Sequence, residues 1–287
     1  MGRSKRHHYV PQGLQRYFCN DDGKIWYAKR SSLAERFPRI EPRNTDSAFQ
    51  QRNFYTVLSD LDNPSDEVER LFYGAVDDQV GKVIAEVVPI VDNGNAPLFK
   101  GQPLESFKNT VLALHRRSID LTKDHDEQGI GHSIIESTIA NASAKLGLNR
   151  DEALRELRFP EPQKLGRNIR VRAQTVRPDL ALDALEPYQV ATIVAGDRSS
   201  FVLGSRMIYR ISNGTSDKLG SKNVELWFPI TPKYCLVLHA LGNGVTEPIV
   251  WPGIKVREIN EYIVERCHDV GSHSDKLLRS LLGEQNP

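Results

Sequence analysis

The chain opens on a run that determines where its first strand lies, Arg3-Ser4-Lys5-Arg6-His7-His8-Tyr9-Val10-Pro11-Gln12. Two adjacent imidazoles stand among basic residues and are followed at once by a β-prone pair and a proline. Because proline cannot donate to a strand ladder, the pattern predicts a short strand over 8–10 that ends at Pro11. A short helix is predicted over 12–18, since Leu14 and Phe18 lie four residues apart on one face.

The middle of the chain carries the periodicity of helices. The clearest helix begins near Asn63-Pro64, where Asn caps and Pro fits the first turn, and it continues to about Ile90. Before it lie two β-prone runs, at 24–28 and 54–57. The polar stretch between them, 31–54, is interpreted as a surface loop. After it we predict four more helices, over 103–121, 133–146, 151–158 and 180–195. A Pro- and Arg-rich linker is predicted over 160–180, before the last of these helices.

From Gly196 the pattern changes to β-prone runs separated by turn residues, at 201–203, 207–211, 224–229 and 235–239. A closing helix is predicted over 256–267 and a last one over 275–282. We therefore expect a single α+β domain over 1–287, in which the N-terminal strands and the C-terminal β region build a small mixed or antiparallel sheet. Its parts are a basic β-rich head, a helical region, and a β-meander with a closing helix, at 1–60, 61–195 and 196–287.

The composition is that of an ordinary globular protein, with 39% hydrophobic and 26% charged residues. Because 38 Lys and Arg balance 37 Asp and Glu, the net charge gives no overall steering toward nucleic acid or membrane. The three cysteines are far apart and form no CxxC, which argues against a disulfide framework or zinc ribbon and fits a reducing compartment. The sequence shows no signal peptide and no long apolar run, so we expect a soluble cytoplasmic protein without membrane association.

The charges are unevenly distributed along the chain. Residues 1–55 hold eleven basic and five acidic side chains, a net of +6, whereas residues 56–90 hold two basic and eight acidic ones, a net of −6. Either the basic head packs against the acidic helix, or it offers a basic face to the phosphates of nucleic acid.

The motifs that identify common enzyme classes are absent from the sequence. Without GxGxxG or GxxxxGK[ST], it signals neither a dinucleotide-binding fold nor a P-loop. It also lacks HExxH, GxSxG and the protein-kinase motifs. Candidate site residues must therefore be chosen by their chemistry.

The histidine doublet is the first candidate, because an imidazole with a pKa near 6.5 can act as ligand, base or acid at neutral pH. A doublet followed by a hydrophobic residue and proline resembles the opening of His-Asn-His-type nucleases, in which one His activates water and a neighbour binds metal. This resemblance implies His8 as general base and His7 as a ligand of Mg²⁺, Mn²⁺ or Zn²⁺, which would stabilise the scissile phosphate. The alternative is that one ring packs in the core while the other is solvated.

Acidic residues of the predicted 63–90 helix are candidate metal ligands. Asp77 and Asp78 lie mid-helix, where the helix dipole gives an acid no local stabilisation, and a carboxylate there can bind Mg²⁺. Glu69 is a weaker candidate, since an acid in the first turn is favourable anyway. The alternative is that these side chains face solvent or pair with an arginine.

The predicted 103–121 helix carries His115, Arg116 and Arg117 at its middle. Arg117 can clamp a phosphate through bidentate hydrogen bonds, and His115 can join the same site. The alternative is a structural bridge from an arginine to the acidic helix. The arginines of the 167–177 segment either follow a nucleic-acid backbone or lie on an exposed linker.

The opening His7-His8-Tyr9-Val10-Pro11-Gln12, with Leu14 and Phe18, resembles the HYVPQ-x-x-L-x-x-F start of domain-of-unknown-function family 4238. The similarity covers nearly the full length, through 53–55, 76–77, 114–118, 227–232 and 258–260. The chain departs from the family at 203–207, where relatives usually have Thr-Ser-Asp-Asn-Pro and this sequence reads Leu-Gly-Ser-Arg-Met. The resemblance implies a bacterial, archaeal or phage-borne protein and implies no mechanism; if the family's Asp is catalytic, this chain lacks it.

Two functional hypotheses of different class follow. The first is a metal-dependent phosphodiesterase or nuclease, serving as a prokaryotic defence effector, with His8 as base, His7 and Asp77 on the metal, and Arg117 on a phosphate. The second is a non-catalytic module that binds nucleic acid or protein through its basic N-terminal face. The enzyme requires a histidine of the doublet close to an acid of the 64–90 helix or to His115 in a concave site.

Overall fold

The computed structural model describes residues 6–58, 64–65, 67–120, 130–156, 171, 174–196, 198–214, 216–240, 245 and 247–283 of the 287 in the chain. The strands are β1 Arg6–His8, β2 Ile25–Lys29, β3 Ile40–Arg43, β4 Gln50–Arg52, β5 Val57–Leu58, β6 Pro64–Ser65, β7 Gln189–Ala195, β8 Leu203–Gly204, β9 Tyr209–Ser212, β10 Val224–Pro229, β11 Tyr234–His239, β12 Ile249–Trp251 and β13 Asp269–Ser272. The helices are α1 Gln12–Tyr17, α2 Gly74–Asp92, α3 Gln102–Arg117, α4 Ile130–Leu146, α5 Arg150–Glu156, α6 Asp179–Ala184, α7 Gly253–Arg266 and α8 Asp275–Leu282. A π-helical turn, Val68–Tyr73, leads directly into α2.

The opening of the chain forms an antiparallel ribbon, in which β1 pairs with β4. Side chains alternate along an extended backbone, so His7 and Tyr9 are fully buried while Arg6 is exposed and His8 is half-buried. The backbone N–H of Tyr9 donates to the carbonyl oxygen of Phe49 at 3.1 Å, which continues the pairing past the ribbon. The strand predicted over 8–10 therefore lies two residues earlier, because β4 pairs with residues 6 to 8.

A four-stranded sheet joins the two ends of the chain in the order β3-β2-β13-β8, with every neighbouring pair antiparallel. Gly271 lies in β13, where a Cβ atom would stand 2.6 Å from Ile25 Cδ1 and 3.1 Å from Phe49 Cε2, so only glycine fits this close approach. The sheet confirms the prediction that N-terminal strands pair with the C-terminal β region.

A second, five-stranded sheet has the order β12-β7-β11-β10-β9 and is antiparallel except for the pair β12–β7. Strand β11 is buried along its whole length, as expected of a nearly continuous apolar run in a strand with neighbours on both sides. The sheet contains three strands of the predicted β-meander, β9, β10 and β11, and extends them with β7 and β12. The predicted 201–203 strand corresponds to β8, which lies in the four-stranded sheet.

The helices bury apolar faces against the larger of the hydrophobic cores. The buried positions of α2 follow helical spacing, at Val80, Val83, Ile84, Val87 and Val91. The same core takes in α3 through Phe107, Val111 and Leu114, and the N-terminal turn through Tyr9, Val10 and Leu14. Each such side chain contributes about 1.5–3 kcal/mol when fully buried, so this core fixes α2 and α3 beside the ribbon.

Several predicted element assignments are wrong. The helix predicted over 180–195 is α6 followed by β7, because the apolar and β-branched run after Pro187 pairs with β11. The loop predicted over 31–54 contains β3 and β4, whose polar side chains concealed their pairing. Strand β13 was not predicted, and the 201–203 run forms a strand only from Leu203.

The long acidic helix begins later than its sequence pattern indicates. Pro64–Ser65 forms β6, and helical structure starts with the π-helical turn. The predicted cap Asn63 and the linker residues Arg167, Arg170 and Arg172 lie outside the described residues. The α+β class is confirmed, and none of the helices in the described residues is long and apolar enough to cross a bilayer.

Candidate functional site

His7 is a buried structural residue at the start of the site. The backbone N–H of Tyr55 donates to its Nδ1 at 2.8 Å, and the two rings stack with centroids 5.8 Å apart. When Nδ1 of a neutral imidazole accepts a hydrogen bond, the ring proton is on Nε2, so neither nitrogen offers a lone pair to a metal ion. The predicted metal-ligand role of His7 does not fit this geometry.

Arg117, the last residue of α3, is fully buried at the centre of the site. Its guanidinium donates to both carboxylate oxygens of Asp77, to the carbonyl oxygen of His8 and, at 3.1 Å, to the hydroxyl of Tyr55. It also lies over the rings of Tyr55 and Tyr73, 5.5 and 4.6 Å from their centroids. Because this cation is enclosed, the predicted phosphate clamp does not fit it; Arg117 instead holds His8 beside Asp77.

The predicted acids of the long helix have different positions. Asp77 pairs with Arg117 while one third of its side chain stays exposed. Glu69, in the π-helical turn, contributes to the field that holds the pKa of Arg117 above its ordinary value, although burial alone would lower that pKa. Asp78 is exposed and forms no ion pair with Arg117. The structure thus brings Asp77 and Glu69 to the arginine and leaves Asp78 on the surface.

His8 has the one imidazole of the doublet whose Nε2 is uncommitted. This atom is buried and makes no hydrogen bond with any residue that the structure describes. Burial lowers the pKa of the ring, while hydrogen bonds to the backbone of Asp46 and Thr45 oppose the shift, and Asp77 is close enough to act on it electrostatically. A ring held through one nitrogen by backbone oxygens presents the lone pair of the other to a proton or a metal ion.

His115 is not part of this cluster. Burial and the nearby Arg206 lower the pKa of His115 to about 4, and the ring hydrogen-bonds to the backbone of Ile208. Its electrostatic neighbours are Arg206, Arg210 and Arg116, and the Arg116 guanidinium donates to the carbonyl oxygen of Val176. A ring with this pKa is a weak base at neutral pH, so the predicted contribution of His115 does not fit.

A second polar network, not anticipated from the sequence, lies where β13 meets the end of α3. Asp120 accepts hydrogen bonds from the backbone N–H of His268 at 2.8 Å and from the Ser118 hydroxyl at 3.2 Å, and its Oδ1 lies 2.6 Å from His268 Nδ1. Burial opposes its ionisation, but hydrogen bonds from His268 and Ser205 outweigh burial and lower its pKa. Both Asp120 and His268 are at most 1% exposed, so substrate cannot reach them in this conformation.

The same network continues to the tyrosine of the opening motif. The Tyr9 hydroxyl donates to Asp269, whose other oxygen lies 3.7 Å from Lys29 Nζ. Burial raises the pKa of Asp269, and Lys29 and Tyr9 partly offset that effect. The backbone N–H of Ser205 donates to the Asp269 carbonyl oxygen at 2.8 Å. The HYVP segment therefore ties the two networks together, through His8 to Arg117 and through Tyr9 to Asp269.

The sequence contains only weak signals for the site residues that were not predicted, Tyr9, Asp120, His268 and Asp269. Tyr9 follows the doublet and was interpreted only as β-prone, although a buried tyrosine usually needs a hydrogen-bond partner. Asp120 comes three residues after Arg117, and His268 and Asp269 come directly after the closing helix. Adjacent ionisable residues at helix ends were the available signal, and it did not specify which of them meet.

The site offers few ligands to a metal ion. Within the ranges that the structure describes, His, Cys, Asp and Glu side chains form no group of three or more. Mg²⁺ requires no such group, because it keeps several waters and binds through one or two carboxylates together with substrate phosphates. The partly exposed side chain of Asp77 fits this mode of binding.

Comparison with known proteins gives a family and no function. The family model described as "Protein of unknown function (DUF4238)" matches residues 6–161, more than half of the chain. The chain belongs to this family, as the resemblance implied, but the match does not reach the similarities expected at 227–232 and 258–260. The match includes β1, α2 and α3, whereas His268 and Asp269 lie beyond it. No curated protein and no solved structure matches the chain.

Proposed function

We propose that the chain is a metal-dependent phosphodiesterase that cleaves nucleic acid, with His8 as general base and Asp77 as ligand of a divalent ion (Mg²⁺, Mn²⁺ or Zn²⁺). The observation that carries this proposal is the buried, unbonded Nε2 of His8 beside a partly exposed carboxylate. A buried polar atom without a partner costs about 1–3 kcal/mol, and binding of a water, ion or substrate at this nitrogen would offset that cost.

The proposed reaction uses the groups of the cluster as follows. His8 Nε2 accepts a proton from water, whose oxygen forms a bond to phosphorus as the bond to the leaving oxygen breaks. A divalent ion held by Asp77 would stabilise the negative charge that develops on the phosphate and the leaving oxygen. Arg117 acts as a positioning residue, because its guanidinium bonds both the His8 carbonyl oxygen and the Asp77 carboxylate.

In this proposal the substrate phosphate contacts the N-terminal ribbon, through Arg6 and Arg52, and not Arg117. The register places Arg6 opposite Arg52 and His8 opposite Gln50, and residues two apart share a face, so the two arginines lie on the same face as His8. Like charges directly opposite each other repel, and a phosphate between them would offset that repulsion. The three cysteines are unpaired, which supports action in a reducing cytoplasm, and cleavage of invading nucleic acid would make the protein a prokaryotic defence effector.

The test uses purified protein with plasmid DNA, single-stranded DNA and total RNA, each with EDTA, Mg²⁺, Mn²⁺ or Zn²⁺. We expect cleavage of at least one substrate with metal and none with EDTA. His8→Ala should abolish it, whereas Asp78→Asn, an exposed neighbour of Asp77, should leave it unchanged. Absence of cleavage with every ion, or equal cleavage by His8→Ala, overturns the proposal.

A second candidate function, a non-catalytic nucleic-acid-binding module, is supported by the ion pair that already occupies Asp77. In that case the basic ribbon binds phosphates and no bond is cleaved. Binding of a labelled oligonucleotide in EDTA should then weaken steeply with salt, and Arg52→Gln should reduce the slope of log K against log salt by about one unit. Salt-independent binding, or an unchanged slope for Arg52→Gln, removes the ribbon as the phosphate contact.

A further inference from the structure

A cavity of about 260 Å³ lies in the C-terminal region, outside the range that matches the family model. Its walls are the 198–200 loop, the first turns of α7, and the junction of β13 with α8. Two arginines, Arg198 and Arg257, line it together with His273 and three serines, and the described lining contains no acidic side chain. Its described lining therefore offers two basic side chains, one of which, Arg257, already pairs with Glu261.

The walls of the cavity are fixed by a buried side chain. Asn260 of α7, only 1% exposed, donates to the carbonyl oxygen of Ser200 at 2.8 Å and accepts from the N–H of Val202 at 3.0 Å. Both ends of its amide are thus used to hold the 198–200 loop against the helix. On the opposite wall, the Ser274 hydroxyl accepts from the N–H of Leu277 and caps α8. Hydrogen bonds therefore hold both walls of the cavity in place.

Hydrogen-bond donors remain available around this cavity. Arg257 contributes three donor bonds, to Glu261 and to the hydroxyl and carbonyl oxygens of Ser280, out of the five N–H groups of a guanidinium. Arg198 makes no side-chain hydrogen bond or ion pair with the residues that the structure describes. The Nδ1 atom of His273 is buried and has no partner among those residues.

The first turn of α7 adds a further contribution to the same space. Its N-cap is Pro252, which provides no side-chain acceptor for the free N–H groups of the turn, and Gly253 lines the cavity. Helix N-termini carry partial positive charge and favour anions. Two arginines, an unbonded imidazole nitrogen and an uncapped helix start therefore converge on one volume without a carboxylate among the described lining residues.

We propose that this cavity binds a phosphate-class anion, either inorganic phosphate or the phosphomonoester group of a nucleotide or of a nucleic-acid 5′ end. A phosphomonoester supplies several acceptor oxygens, which match the unused donors of Arg198 and Arg257. This site is separate from the His8 cluster and does not depend on the proposed cleavage reaction.

The experiment is an NMR titration of the full chain, labelled with ¹⁵N, at constant ionic strength. The probes are sodium phosphate, adenosine 5′-monophosphate, and a short oligonucleotide with either a 5′-phosphate or a 5′-hydroxyl. We expect saturable shifts of the amides at 199, 200, 253 and 274 for at least one phosphate probe, and none for the 5′-hydroxyl oligonucleotide. The strongest binder identifies the source of the phosphate.

Matched variants test the residues. Arg198→Gln, an exposed position with no bonds to lose in the described structure, and Arg257→Gln should each weaken binding about tenfold or more, as expected for loss of a charge-assisted bond. Arg266→Gln, on the same helix but outside the cavity, should bind like the unchanged chain. Absence of saturable shifts with every probe, or equal weakening by Arg266→Gln, overturns the proposal.

Discussion

The two buried polar networks differ in how they balance charge and in whether solvent reaches them. In the Arg117 network, one guanidinium meets the Asp77 carboxylate and two tyrosine rings, and a third of the Asp77 side chain stays exposed. In the Asp120 network, the fully buried carboxylates of Asp120 and Asp269 meet serine, tyrosine and histidine groups, and the partly exposed Lys29 lies 3.7 Å from Asp269. Both contain a histidine whose Nε2 is unbonded among the described residues, but only that of His8 lies beside an accessible acid.

This difference separates a structural network from a candidate site. His268 is 1% exposed and is held by Asp120 through both its backbone and its ring, so its network serves to join β13 to the end of α3. The Arg117 network has the same rigid support on its inner side and an open side at Asp77. A supported group next to an accessible one is the arrangement that general-base chemistry needs.

The largest expected effect comes from removing the central cation. Arg117→Met should lower the free energy of unfolding by about 3–5 kcal/mol, because it leaves the Asp77 carboxylate without its cation and removes a donor from the Tyr55 hydroxyl. Urea denaturation followed by circular dichroism measures this change. Arg150→Met, at a solvent-accessible ion pair with Glu136, is the control and should have little effect. Similar stability of the two variants would show that Arg117 is not the structural centre of its network.

Acidification should destabilise the protein through its neutral buried histidines. The pKa of His115 is lowered to about 4 in the folded chain from 6.5, mainly by burial. Between these values the unfolded chain binds more protons, so the free energy of unfolding falls as pH drops from 6.5 toward 4, by up to about 3 kcal/mol. Burial also lowers the pKa of His8 and His273, which acts in the same direction.

Urea denaturation at several pH values between 4 and 7 measures this dependence. His115→Gln should flatten the slope in that interval, because the position then no longer titrates. A variant that keeps the full slope would assign the pH dependence to other groups.

Removing charge from the closed network should have a smaller effect. Asp120→Asn keeps the shape and an acceptor oxygen but loses the charge that strengthens the bonds from His268 and Ser118, so we expect a loss of about 2 kcal/mol. Asp78→Asn makes the same chemical change on the surface and should be neutral. Thermal and urea unfolding of the two variants, compared directly, measure the difference. Equal effects would contradict a structural role for Asp120.

Much of the fold was predictable from the sequence, because its signals are local. The valine and isoleucine spacing of α2 and the β-prone runs of β10 and β11 gave correct elements, and the pairing of N-terminal with C-terminal strands was also predicted. The assignment of 180–195 failed because apolar residues in β7 fit a helix as well as a strand until the partner β11 is known.

The candidate site was predictable only as separate residue types. His8, Asp77 and Arg117 were each chosen by their chemistry, but the guanidinium that joins them came from the packing of α3 against the ribbon. The pairing of Asp120 with His268 spans 148 positions, and its sequence has no periodic signal. The metal-ligand prediction for His7 does not fit because the pairing of β1 with β4, which the sequence does not show, determines that His7 faces the core.

In the proposed reaction His8 is the general base, and the fold does not depend on its side chain. His8→Ala should unfold within about 1 kcal/mol of the unchanged chain, since its Nε2 makes no bond to the described residues. The direct measurement is the metal-dependent rate of nucleic-acid cleavage by folded His8→Ala relative to the unchanged chain. We expect this rate to fall by about 10²–10⁴-fold, the usual contribution of a general base. Equal rates, with both proteins folded, would contradict it.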